Sequence, residues 1–214
     1  MPNTYQVNMA KRDISEVTLS RNDLNLPSDG FIFCCFNNTY KFTPKVFDSW
    51  AHILKCVKGS ALIIYANNEL SKVNLSKEIT KRGIESHRLI LAKSIPKPQY
   101  LARYRAADLF LDTHPYNAGT TASDALKMGL PMLTMKGKSY QARMGASIVN
   151  SVNLPELITN TQEEYESLAI ELATNPEKLK AIKDKLKSNL PTAPLYDTKL
   201  FAKNIESAYT QMYE

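Results

Sequence analysis

Short apolar runs at residues 31–36, 61–66, 89–91, 109–111 and 132–134 punctuate the chain, each bounded by turn or polar residues. Runs of this length without polar alternation predict strands covered on both faces, the habit of parallel sheets. The segments between them carry a helical period. In the clearest one, Val46, Phe47, Trp50, Ile53, Leu54 and Val57 fall on one wide apolar face. Thr43 is placed to cap that helix, and Pro44 suits its first position. A second helix is predicted over 71–82, stopped by Gly83 in a left-handed cap. Shorter helices are predicted after Pro96, from about Thr120, and over 140–149. Strand and helix in alternation predict an α/β fold built on a parallel, doubly wound sheet with right-handed crossovers. Such sheets bind ligands beyond the carboxyl ends of their strands, so the residues that follow each strand are the ones to examine for chemistry.

Beyond Leu154 the pattern is helical only. Thr161 and Glu164 have capping-box spacing ahead of Tyr165, Leu168 and Leu172. Asn175 and Pro176 open a lysine-rich helix, the stretch PTAPLYD at 191–197 interrupts it, and a last amphipathic helix carries Phe201, Ile205, Ala208 and Met212. These helices are expected to pack on the sheet or on a partner domain. Residues 1–28 are polar and aperiodic and read as an arm or linker; residues 29–214, including the helices of 161–214, read as one lobe.

Composition narrows the class. The chain has 43% hydrophobic and 22% charged residues, an ordinary globular balance. No apolar run approaches the roughly 18 residues needed to cross a membrane, and the start lacks the apolar stretch of a signal peptide. A cytoplasmic protein with no membrane partner is the expectation. Cys34, Cys35 and Cys56 show neither metal-ligand spacing nor a disulfide framework and are expected to be buried thiols. A net charge of +6 admits nucleic acid as a partner. Much of the excess, however, sits at Lys178, Lys180, Lys183, Lys185 and Lys187, interleaved with Leu179, Ile182 and Leu186, and reads as the solvated face of a helix. GxGxxG, Walker and GxSxG motifs are all missing, and no acidic pair stands at obvious catalytic spacing.

Three segments follow strands and carry chemistry. Asn37-Asn38-Thr39-Tyr40-Lys41 precedes the Thr43 cap. A lysine there either meets a phosphate beside a helix N-terminus or is an exposed loop residue. Lys97, Tyr100 and Arg103, spaced i, i+3, i+6, either present two cations and a ring to a nucleotide or belong to a surface helix with a half-buried tyrosine. The third segment, Asp112 to Asp124, leads through small and hydroxylated residues into a helix. Its free amides with Thr120 and Thr121 make an anion cradle, and Asp124 is placed to accept from a ribose hydroxyl. The structural alternatives are an N-cap for Thr120 and a helix-dipole partner for Asp124. His114, in the same loop, reads as a polar loop contact.

FCCFNNTYKFTP (33–44), PKPQYLARYRAADLFLDTHPYNAGTTASDALKMGLPMLTMKG (96–137) and APLYDTKLF (193–201) together resemble the C-terminal catalytic lobe of the protein O-GlcNAc transferases, including the bacterial SPINDLY-like members. The resemblance runs over almost the whole chain, and 2–16 resembles the family's join between lobes. It implies a Rossmann-like lobe of a GT-B glycosyltransferase, binding UDP-GlcNAc for inverting transfer to Ser or Thr hydroxyls of a protein acceptor. It implies no cofactor and no metal, and a second, N-terminal lobe in cis or in trans. Lys41 corresponds to the lysine that contacts the phosphates and Asn38 to its polar neighbour. Ile95 (through its backbone), Lys97, Tyr100 and Arg103 correspond to base and ribose contacts. Thr120 and Thr121 correspond to the phosphate-binding threonines, and Asp124 to the ribose-binding acid. Gly119 stands where many members carry His, which leaves only a backbone amide there. Tyr100 replaces a His of some members, and Lys127-Met128 a common Leu-Trp. A non-catalytic or split module, or a relative using UDP-glucose or GDP-fucose, fits the same residues.

Overall fold

The computed structural model describes residues 2–9, 16 and 19–214; positions 1, 10–15 and 17–18 of the expected arm lie outside the described residues. Six parallel strands form the sheet: β1 (Ile32–Cys35), β2 (Ala61–Tyr65), β3 (Leu89–Ala92), β4 (Leu109–Leu111), β5 (Met132–Met135) and β6 (Ile158–Thr159), in the order β3-β2-β1-β4-β5-β6. β1 is central, pairing Phe33 with Leu62 of β2 on one side and Leu109 of β4 on the other. The chain order reverses at this β1–β4 junction, so the segments after β1 and β4 diverge and leave a crevice between them.

Local chemistry explains the helices that flank the sheet. Thr43 caps α1 (Pro44–Cys56) by accepting from the Val46 amide, a contact worth about 1 kcal/mol. Its six predicted apolar positions are all buried, with Trp50 and Ile53 fully so. α2 (Glu69–Lys81) starts two residues earlier than the period predicts, because Asn68 accepts from the Ser71 amide. Gly83 follows it at φ +77°, the left-handed stop expected there. α3 (Lys97–Ala102), α4 (Thr120–Lys127) and α5 (Met144–Ser151) complete the wound part. Gly145 lets α5 cross close to the sheet: a Cβ there would overlap Asp112 Oδ2 and Thr134 Oγ1.

α6 (Gln162–Thr174) and α7 (Pro176–Asn189) pack back on the lobe through Tyr165, Ala169 and Leu172 and through Leu179, Ile182 and Leu186. The α7 lysines form exposed ion pairs, among them Lys180–Asp184 at 2.8 Å and Lys185–Glu156 at 2.8 Å, as a solvated face should. α8 (Thr198–Tyr213), capped by Asp197, closes the chain and has no fully buried residue.

Two expectations need correction. The region after Leu154 is not wholly helical, since β6 pairs Ile158 with Thr134; two residues are too few to show a period. Cys34 and Cys35 are buried, and burial pushes both thiols upward, but Cys56 is exposed at the solvent end of α1. Of the expected arm or linker, the described residues near the start touch the lobe. Thr4 and Asn8 are buried, and Asn8 Nδ2 donates to the Leu195 carbonyl at 3.2 Å.

Candidate active site

The loop after β4 is organised by one carboxylate. Asp112 is buried, and its oxygens accept from the Thr113 amide (2.8 Å), the Ala118 amide (2.7 Å) and Thr134 Oγ1 (2.7 Å). Burial raises its pKa to about 6, against the pull of those three bonds and of nearby Lys41. Asn37, directly after β1, joins the two loops: its amide donates to Thr113 Oγ1 at 2.8 Å, and its carbonyl accepts from Thr121 Oγ1. Asn117 extends the lacing, donating to the Thr113 carbonyl at 2.8 Å.

Lys41 projects into the crevice from the β1 side. Its ammonium donates to the Asn117 carbonyl at 2.8 Å and lies 4.0 Å from the Tyr116 ring centroid. Burial lowers its pKa, an effect opposed by the Asp112 charge. An ammonium carries three donors, and the Asn117 bond uses one. Lys41 is therefore more than an exposed loop lysine.

Gly119, not Thr120, is the N-cap of α4, with its carbonyl accepting from Ala122 and Ser123. Thr120 and Thr121 occupy the first two helical positions, where amides have no intrahelical acceptor. Lys41, Asn38, Gly119, Thr120 and Thr121 line one cavity of about 340 Å³ at the switch point. A half-buried cation and a helix N-terminus thus face the same space, which suits a phosphate or diphosphate.

The second group of expected residues lies one turn further along α4. Asp124 is buried, and its Oδ2 accepts from Lys97 Nζ at 2.6 Å. Lys97 Nζ and Arg103 Cζ lie 4.3 and 4.7 Å from the Tyr100 ring centroid. Tyr100 and Tyr104 share a 2.6 Å hydroxyl contact, and Tyr104 donates to the Thr121 carbonyl at 3.3 Å. This patch therefore adjoins the phosphate cavity through α4 itself.

Arg103 does not present its charge to solvent beside Lys97. It is 3% exposed, stacks on Phe36 at 3.9 Å, and donates to the Lys93 carbonyl. The reason is geometric: six helical steps of 100° make about 240°, which points Arg103 away from Lys97. Ile95 is half-buried in the loop between β3 and α3. His114 faces away from the Lys41 cavity, lining a separate space of about 170 Å³ between α1 and α6, and its carbonyl accepts from Thr43 Oγ1.

Sequence reasoning placed Asp112, Asn37, Tyr116 and Asn117 within the segments that carry chemistry but gave none of them a role, and they organise the site. The adjacency of polar residues to the ends of β1 and β4 was the available signal. Tyr5 and Gln6 also line the cavity, and no local pattern in residues 1–28 pointed to that. Among the described residues no group of three His, Cys, Asp or Glu side chains is placed to hold a metal ion, and no helix is long and apolar enough to cross a membrane.

Fold and crevice together define a doubly wound α/β lobe with an anion-suited pocket at its switch point. Comparison with known proteins gives that class a family. The family model for glycosyl transferase family 41 matches residues 6–205, and the chain belongs to that family. It is 33% identical over 219 residues to a probable UDP-N-acetylglucosamine–peptide N-acetylglucosaminyltransferase, SEC, of Arabidopsis thaliana, a match covering all of this chain and 22% of that protein. The corresponding SPINDLY protein of Hordeum vulgare is 35% identical over 192 residues, covering 87% of this chain and 20% of that protein. A variant of the Thermobaculum terrenum O-GlcNAc transferase superposes with a TM-score of 0.82 at 33% identity, covering 89% of this chain and 38% of that chain. The fold is accordingly that of a GT-B glycosyltransferase lobe. The chain spans about a fifth of the length of the two curated relatives.

Proposed function

We propose that this lobe binds the nucleotide diphosphate of UDP-GlcNAc and serves the inverting transfer of GlcNAc to Ser or Thr hydroxyls of a protein. The supporting observation is the convergence of the half-buried Lys41 ammonium with the α4 N-terminus in one cavity. The names of the Arabidopsis and barley relatives point to the same donor and a peptide acceptor. In this reading the acceptor hydroxyl oxygen attacks the anomeric carbon, its proton passes to water or a phosphate oxygen of the donor, the bond from that carbon to the diphosphate breaks, and UDP leaves. Negative charge grows on the diphosphate as it departs. Lys41, the amides of Thr120 and Thr121 and the Thr120 hydroxyl are placed to receive it, while the Thr121 hydroxyl stays committed to Asn37. Asn38 adds a polar contact at the rim. Asp124, oriented by Lys97, takes a ribose hydroxyl, and Ile95 offers its backbone to the base. Arg103 serves from below by holding Phe36 and Tyr100 in place. The acceptor side belongs to a second lobe, in cis or in trans.

Calorimetric titration of the chain with UDP, UDP-GlcNAc and GDP tests the reading. UDP should bind and GDP should bind more weakly. Lys41→Ala should weaken UDP roughly 10–150-fold, the range for one lost hydrogen bond to a charged group. The variant should still fold, with stability lowered by about 1–3 kcal/mol as the buried Asn117 carbonyl loses its donor. Equal UDP affinity with and without Lys41 would refute the assignment.

A further inference from the structure

The cavity has a wall that neither loop supplies. Residues near the start of the chain lie across the first turn of α4, held at three points. Gln6 Nε2 donates to Ser123 Oγ at 3.3 Å and to Asn8 Oδ1 at 2.8 Å, and Asn8 in turn donates to the Leu195 carbonyl. The Tyr5 ring packs edge-on against Tyr140, with centroids 5.7 Å apart. These contacts leave the Tyr5 hydroxyl above Gly119, where it donates to Gln6 Oε1 at 3.1 Å. A Cβ built on Gly119 would stand 3.3 Å from that hydroxyl and 3.0 Å from Met144 Cε. Tyr5 thus puts an O–H donor into the space that a side chain at position 119 would enter.

We infer that Tyr5 is a donor-site residue, whose hydroxyl serves the diphosphate–sugar end of the bound nucleotide-sugar from above Gly119. The inference rests on the proposed function and deepens it. Two observations choose that end of the ligand. Tyr5 lines the same cavity as Lys41, Thr120 and Thr121. It also stands at the start of α4, whereas Asp124 and Lys97, the ribose side of the reading, stand one turn further on. Lys41 is the cavity's one lysine or arginine among its lining residues. A diphosphate brings more charge than a single ammonium balances, so neutral O–H donors have work to do there. Burial, with Tyr140, Asp112 and Tyr116 nearby, holds the Tyr5 hydroxyl above its ordinary range, and it remains a donor at neutral pH. On ligand binding the proton turns from Gln6 Oε1 to a phosphate or sugar oxygen; no covalent bond changes.

The test is a matched titration of the 214-residue chain and its Tyr5→Phe variant with UDP-GlcNAc, UDP and UMP. Phe retains the ring against Tyr140 and removes only the hydroxyl. UDP-GlcNAc and UDP should each weaken roughly 5–10-fold, the scale of one ordinary net hydrogen bond, because the hydroxyl gives up its Gln6 partner to serve the ligand. UMP affinity and the thermal midpoint should hold. An equal loss for UMP would show a structural or nucleoside-side role and overturn the inference, as would no loss for any ligand. Failure of the unaltered chain to bind UDP would overturn the functional reading itself, and this inference with it.

Discussion

Two aspartates flank the three-residue strand β4 and meet opposite conditions. Asp108, at the amino edge of the sheet, caps the Ile32 amide at 2.9 Å and is paired with Lys183 at 3.4 Å and Arg21 at 3.6 Å. Its side chain keeps 27% of its exposure. Asp112, at the carboxyl edge, is buried and accepts only from neutral amides and a hydroxyl. At the amino edge, water and cations share the charge and the residue clips strands together. At the carboxyl edge the charge is desolvated and held by donors that belong to the site loop. A parallel sheet treats its two edges differently: helix N-termini and strand-following loops gather at one, helix C-termini at the other. The same side chain, four residues apart, becomes a clamp in one place and the organiser of a binding loop in the other.

The comparison can be broken most forcefully at Asp112. Asp112→Ala strands two buried amides and the Thr134 hydroxyl, each costing about 1–3 kcal/mol; removal of the buried charge offsets part of that sum, and stability to urea should fall by about 3–5 kcal/mol. A loss under about 1 kcal/mol would mean that the loop does not depend on it. A pH series sharpens the contrast. The folded-state pKa of Asp112, about 6, lies above its ordinary 3.8, so the fold prefers the protonated acid. That contribution is fully present below about pH 3.8 and is lost as pH rises towards 6, at up to roughly 1.4 kcal/mol per pH unit. Urea midpoints between pH 4 and 6.5 should show this slope in the unaltered chain and lose it in Asp112→Asn. The smallest effect belongs to Asp108→Ala. Its partly exposed pairs are worth about 1 kcal/mol or less and the Ile32 amide left without its acceptor about 1 kcal/mol more, and UDP affinity should not change.

Much of the fold was legible. Five of the six strands, the Thr43, Thr161 and Asn175 caps and the solvated lysines of α7 follow from local pattern. Of the expected site residues, Lys41, Asn38, Gly119, Thr120 and Thr121 share one cavity, because all lie in the two segments that follow β1 and β4 at the switch point. Arg103 shows where the method stops. Its spacing from Lys97 was legible, but the burial of its guanidinium under Phe36 and Tyr100 was not. The expected arm is the converse: aperiodic, and marked in the text only by its resemblance to the family's join, it places Tyr5 and Gln6 on the site.

By itself the sequence determined the order of the first five strands and of most helices, the Thr43, Thr161 and Asn175 caps and the family. Those properties rest on side chains within a turn or two of one another, and on motifs that can be compared directly. Only the tertiary structure decided which polar groups are desolvated and which meet. Asn37 reaches Thr113 across 76 residues and Gln6 reaches Ser123 across 117. Burial, and with it the strength of a charge, is a property of everything packed around a group, and no local window of sequence contains that.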